Sequence, residues 1–245
     1  MVDPRTSIVE ERLGRIGRII AVSSGKGGVG KSLVATTLAL ALARKGSKVG
    51  LFDLDFTSPS THIILGAGDA KPREEKGLLP PIVCGLKYMS LMYYTGDEAA
   101  PLRGMDTSNA LIELLAVTIW GKLDFLVIDM PPGIGDAVLD LIRLVRNTEF
   151  LVVTTPSQLA FETVKKFVML LKEMNIRVLG VVENMKMNSG DGIRGRTEEL
   201  GIPFLGEIRY DPKVEEAIGK EARLLETAIA QKVKELAETW LSENV

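Results

Sequence analysis

The segment Gly25-Lys26-Gly27-Gly28-Val29-Gly30-Lys31-Ser32 constrains this chain more than any other stretch of its 245 residues. The apolar run Ile19-Ile20-Ala21-Val22 precedes it. Lys31 to Arg44 follows, with Leu33, Thr37, Leu38 and Leu42 on one side of a helix. A buried strand, a glycine-rich turn and a helix, in that order, make a phosphate-binding loop. Its glycines let backbone N–H groups curl around a β-phosphate, and the helix N-terminus adds its positive end. In such a loop Lys31 bridges β- and γ-phosphate oxygens and the Ser32 hydroxyl ligates Mg²⁺. Gly25, Gly27, Gly28, Val29, Gly30, Lys31 and Ser32 are therefore expected to bind a nucleotide.

The pattern around this loop repeats. Strand-length apolar runs at 48–53, 86–91, 123–129, 150–154 and 177–182 are joined by helical segments at about 136–145 and 162–174. Such alternation predicts an α/β fold: one three-layer domain, mainly parallel, with helices on both faces. Residues 1–17 read as an N-terminal helical extension. Residues 226–245 read as a C-terminal amphipathic helix, with Ile229, Val233, Leu236 and Trp240 on one face. Gly66 to Pro81, rich in Gly, Pro and charge, reads as a mobile loop, and 187–196 as a polar one. No linker divides the chain.

Composition removes several function classes. A net charge of −2 gives no electrostatic grip on nucleic acid or anionic lipid. A single cysteine, Cys84, excludes an internal disulfide framework. No apolar run reaches transmembrane length, and residues 1–18 lack a signal-peptide core, so a cytoplasmic location is expected.

Lys26, early in the glycine-rich loop, makes the string resemble the deviant Walker A loop of the Mrp/MinD class of P-loop ATPases. The resemblance implies that Lys26 reaches across a face-to-face homodimer, formed on ATP binding, onto the partner's nucleotide. Asp53-Leu54-Asp55-Phe56-Thr57-Ser58-Pro59-Ser60 is similar to the switch I pattern D-x-D-x-x-x-P-S of the Mrp branch. It implies that Asp55 orients the attacking water and Asp53 supports the Mg²⁺ shell. Asp129-Met130-Pro131-Pro132-Gly133 ends a Walker B-like strand. There Asp129 is expected to hold a Mg²⁺-bound water, Gly133 to offer its N–H to the γ-phosphate, and Asp136 to cap the next helix. The guanine signature N-K-x-D does not occur. Glu183-Asn184-Met185 resembles the segment that sets an asparagine against adenine, and Tyr210-Asp211-Pro212 the second loop flanking that base. Asn184, Asp211 and Pro212 thus favour ATP. Slow intrinsic hydrolysis to ADP is expected, as suits a switch.

The sequence departs from the resemblance in one respect. Many Mrp proteins carry C-x-x-C after E-N-M and bridge an iron–sulfur cluster between two copies. Here the stretch is Lys186-Met187-Asn188-Ser189-Gly190-Asp191, without thiolates, so no intrinsic cluster is expected. Cys84 and His62 read as structural, and Met89, Met92, Met185 and Met187 as core and switch packing. The cysteine-poor archaeal hydrogenase-maturation ATPases of the HypB type look similar. They imply nickel insertion into [NiFe] hydrogenase with a HypA-like metallochaperone or client metalloprotein as partner. An iron–sulfur assembly or carrier ATPase of the Mrp type, and a MinD/ParA-like positioning ATPase, are the alternatives. Lys232 and Lys234 against Glu235, Glu238 and Glu243 speak against membrane attachment by the last helix, for which core packing is expected. The leading segment, with Ile8, Val9, Leu13 and Ile16, is a candidate partner-docking helix.

Overall fold

The computed structural model describes residues 3–95, 105–187, 190 and 192–242. The strands are β1 (Ile16–Ser24), β2 (Val49–Asp53), β3 (Arg73–Glu74), β4 (Leu78–Leu79), β5 (Ile82–Val83), β6 (Leu86–Ser90), β7 (Leu123–Asp129), β8 (Thr148–Thr154), β9 (Val178–Lys186) and β10 (Phe204–Arg209). The helices are α1 (Arg5–Leu13), α2 (Lys31–Arg44), α3 (Thr61–Leu65), α4 (Met92–Thr95), α5 (Met105–Val117), α6 (Asp136–Leu144), α7 (Gln158–Glu173), α8 (Arg194–Glu199), α9 (Lys213–Ala217), α10 (Glu221–Leu224) and α11 (Ala228–Ser242). Eight strands form one sheet in the order β10-β9-β8-β1-β7-β2-β6-β5, parallel except for the edge strand β5.

Strand alternation divides the core into two layers. On β1, Ile19 and Ala21 face a cluster built with α1, α5, α6 and α7. Ile20 and Val22 face the opposite cluster, built with α2, α3, α9, α10 and α11. Both faces are covered, so the central strands are apolar throughout rather than alternating. Helix α2 runs without a Gly or Pro through Ala- and Leu-rich sequence and stops just before Gly46, at φ 91°. The single three-layer α/β domain expected from the alternation is the fold observed.

Two expectations change and one holds. Gly66 to Pro81 is not a plain loop: β3 and β4 form a hairpin across 73–79, and Leu78 accepts the Ile119 N–H at 2.8 Å. Leu78 packs against the core, which holds the hairpin down. The apolar face of α1 is not free for docking, because Val9 and Leu13 are buried against α5 and α6 and Ile16 is buried at the start of β1; Ile8 is its exposed apolar residue. Helix α11 does bury Ile229, Val233 and Leu236. The Trp240 side chain lies outside the described residues, as do 188, 189 and 191 of the segment after β9.

Candidate functional site

The parallel strands β1, β7 and β2 end together beside a cleft of about 460 Å³; Ser24 lines it, while Asp53 and Asp129 are buried below its surface. Gly28 and Gly30 take left-handed backbone (φ 78° and 84°), which lets the loop wrap before α2 begins. Gly30 has a second constraint: a Cβ there would lie 2.3 Å from Asn184 Nδ2. Gly27, Gly28, Gly30, Lys31, Ser32 and Asp55 line the cleft, whereas Val29 is buried beneath it.

Lys31 is buried, and its ammonium donates to Asp129 Oδ1 at 2.6 Å, with Asp55 Oδ2 at 3.6 Å and Ser32 Oγ at 3.4 Å. Asp129 is fully buried, and its Oδ2 has no hydrogen-bond partner among the described residues. Burial pushes its carboxyl up to about 7; the neighbouring charge of Asp53 adds to this, and Lys31 opposes it. Asp53 lies beside Asp129 in register, and its carboxyl is likewise pushed up by burial. An orphaned carboxylate oxygen near the Ser32 hydroxyl is a hard-oxygen donor set that fits Mg²⁺ with part of its water shell.

Switch I is tied down locally. Asp53 Oδ2 accepts from Thr61 Oγ1 (2.6 Å), Thr61 N and Ser60 N, so it caps α3; Thr61 Oγ1 also lies 2.9 Å from the Tyr88 hydroxyl on β6. Asp55 Oδ1 accepts from Thr57 N, Thr57 Oγ1 and Ser58 N, leaving Oδ2 toward Lys31. Two expected contacts differ. The Gly133 N–H donates to Ser24 O at 2.8 Å, an attachment to β1 rather than an open donor. Gly135, not Asp136, occupies the N-cap of α6, and Asp136 is its first residue.

A smaller pocket of about 90 Å³ adjoins the cleft through Leu33, which lines both. Asn184, Met185, Arg209, Tyr210 and Asp211 are among its walls. Asn184 Nδ2 donates to Val29 O at 2.9 Å, joining β9 to the phosphate loop. Met185 sits at φ 59°, a strained left-handed turn for this residue at the pocket edge. Asp211 accepts from Lys213 N and Ala228 N, both at 3.0 Å, and these bonds hold its carboxyl below the usual range. It thus caps α9 and α11, while Pro212 opens α9 and is not part of the wall. Sequence reading missed Arg209, which ends β10, because Gly206 obscures that strand's pattern. It also missed Thr61, whose place just after D-x-D-x-x-x-P-S was the available signal.

Lys26 is exposed on the loop. Around it on the same end of the sheet stand the exposed apolar side chains Ile63, Ile134 and Leu159. Cys84 is half-buried at φ 49°, and its thiol, directed at Leu65 O (3.7 Å), is pushed up to about 11 by burial. Met89 is buried, as expected, but Met187 is 78% exposed and packs against no core. No helix among the described residues is long and apolar enough to cross a membrane.

Residues 15–243 match the ParA family profile described as NUBPL iron-transfer P-loop NTPase. An iron–sulfur cluster carrier protein of Pseudomonas fragi is 44% identical over 180 residues, which cover 72% of this chain and 63% of the relative. One from Methanocaldococcus jannaschii is 38% identical over 229 residues, covering 86% and 79%. The chain thus spans less than two thirds of the length of the Pseudomonas relative. A nucleotide-binding protein from Archaeoglobus fulgidus, solved in complex with ADP, aligns with a TM-score of 0.73 at 33% identity, covering 89% of this chain and 92% of that one. These relatives turn the expectation away from nickel insertion and toward iron. That expectation rested on the absence of thiolates after Met185, and an absent ligand set does not select another metal.

Proposed function

Because this chain belongs to the ParA family of NUBPL iron-transfer P-loop NTPases, we propose that it is a Mg-ATP-dependent, dimerising switch acting in iron–sulfur cluster assembly or carriage. The observation that carries this reading is the buried floor, with Lys31 held between Asp129 and Asp55 beside Ser32. Binding of ATP draws the Lys31 ammonium onto the β- and γ-phosphates. Asp129 and the Ser32 hydroxyl would hold Mg²⁺, which would neutralise phosphate charge, with Asp53 supporting that site while it fixes α3. Asp55, already oriented by Thr57 and Ser58, positions the attacking water. Asn184 and the loop at Tyr210 to Pro212 take the adenine. Lys26 crosses to the nucleotide of a second copy, and Ile63, Ile134 and Leu159 supply apolar contact on that face.

The cluster enters this reading as cargo. The chain has one cysteine, a half-buried thiol of raised pKa, and no group of three or more His, Cys, Asp or Glu among the described residues is placed to hold a metal. These donors do not fit a cluster held by this chain alone. The thiolates are therefore assigned to a partner, and no step is routed through the cluster here. The test pairs two measurements. Sedimentation with a non-hydrolysable ATP analogue should give a dimer that Lys26→Ala fails to form. Anaerobic reconstitution of the chain alone with iron and sulfide should leave it colourless. Dimerisation indifferent to nucleotide, or a stable coloured cluster on the isolated chain, would contradict the proposal.

A further inference from the structure

At the opposite end of the sheet, where β1, β8 and β9 begin, lies a second cleft of about 380 Å³. Three guanidiniums, from Arg18, Arg146 and Arg177, and the carboxamides of Asn147 and Asn175 line it. The one carboxylate in the lining, Glu149, is buried and already engaged. Its Oε2 lies 2.7 Å from Arg18 Nε and its Oε1 2.6 Å from Arg177 Nη1. Arg18 also lies over the Phe125 ring, 6.0 Å from its centroid. Glu149 thus orients two guanidiniums while cancelling one charge. Arg146 enters no ion pair among the described residues.

The result is a pre-oriented local excess of two positive charges in a chain whose net charge is −2. Asn175 contributes through its backbone. At φ 56° it takes the left-handed turn that ends α7, which asparagine tolerates and most residues do not. Guanidinium forks and amide N–H donors, with the one carboxylate already engaged, suit a tetrahedral oxyanion, whose oxygens accept several N–H bonds at once. The cleft is separate from the nucleotide site: the six extended residues of β1 between Arg18 and Gly25 set them roughly 20 Å apart.

We propose that this cleft binds a small phosphate-type oxyanion, either free phosphate or a phosphate monoester, independently of the nucleotide. The test uses the full chain with its P-loop filled by a Mg-bound non-hydrolysable ATP analogue, titrated with inorganic phosphate in a calorimeter. One phosphate per chain should bind, more weakly as salt rises. Arg146→Ala should weaken it about tenfold. Arg146→Ala combined with Arg177→Ala should remove saturable binding, while Arg143→Ala, on α6 just before the cleft and outside its lining, leaves it unchanged. Arg146→Ala breaks no ion pair, so its folding and its ATP hydrolysis should match the parent chain. A parallel titration with glycerol 3-phosphate tells ester from free ion by which binds tighter. Absence of saturable binding by both probes, or equal binding by the double variant, overturns the proposal. So does capture of a glutamate-rich peptide through these arginines when neither phosphate probe binds, an outcome that would make the cleft a protein-docking surface.

Discussion

The floor of the phosphate cleft and the segment that follows β9 lie at the same end of one sheet, yet they hold opposite chemistry. In the floor, Lys31, Asp53, Asp55 and Asp129 are all buried and linked in a chain: Lys31 pairs with Asp129 and Asp55, and the Asp55 N–H donates to Asp53. After β9, Met187 stands exposed, and the segment from Lys186 to Asp191 contains no thiolate. The lesson is a division of labour. In the proposed reading the hydrolytic machinery is pre-organised inside the chain, whereas no group of three or more potential metal ligands is assembled among the described residues, so the cluster's thiolates are assigned to a docked partner.

The contrast breaks most sharply at Lys31. Lys31→Ala removes the phosphate cation and leaves two buried carboxylates without their counter-charge. ATP affinity should fall by about 100-fold or more in calorimetry, and the nucleotide-free chain should lose about 3–5 kcal/mol of stability in denaturant unfolding. Asp55→Asn is gentler on the fold. Hydrolysis should drop by about 100-fold in a phosphate-release assay while ATP still binds, and equal turnover would remove Asp55 from the proposed mechanism.

These predictions rest on residues of unequal legibility. The phosphate loop, α2 and β7 were readable because a glycine string and uninterrupted apolar runs leave few alternatives. The C-terminal strand ends placed Asp53 and Asp129 side by side for the same reason. What Asp53 does there was not readable: its capping of α3 through Thr61 depends on a turn bringing a residue eight positions away onto the carboxylate. The hairpin at 73–79 and the burial of α1 were missed alike. Each is decided by long-range packing, of Leu78 against the core and of Val9 and Leu13 under α5, rather than by local propensity. Asn184 was legible as lying near the end of a strand, but its bond to Val29 O is a contact between segments 155 residues apart.

A smaller effect sharpens the electrostatics of the floor. Asp129 has a folded carboxyl at about 7 against an ordinary 3.8, so between those values the folded chain binds more protons than the unfolded one. Stability from this group is complete below about 4 and is lost as pH rises through 7. The Tm of the nucleotide-free chain should therefore fall over that range, and Asp129→Asn should flatten the fall. Mg²⁺ binding, which needs the carboxylate, should tighten over the same window. The smallest effect belongs to the other region. Cys84→Ala removes a thiol that is directed at Leu65 O and lies beside Glu221, away from the floor, so ATP turnover and cluster handover should each change by less than about twofold. A large loss of handover in that variant would return a cluster ligand to this chain.

The most direct measurement of the central claim is ATP-dependent cluster handover. A cluster-loaded donor and an apo-ferredoxin acceptor are mixed anaerobically with the chain, and transfer is followed by visible circular dichroism. The account predicts that the chain accelerates transfer only with Mg-ATP, that Lys31→Ala and Lys26→Ala abolish the acceleration, and that the chain retains no cluster afterwards. Transfer at the same rate with and without ATP, or with either lysine variant, would contradict it.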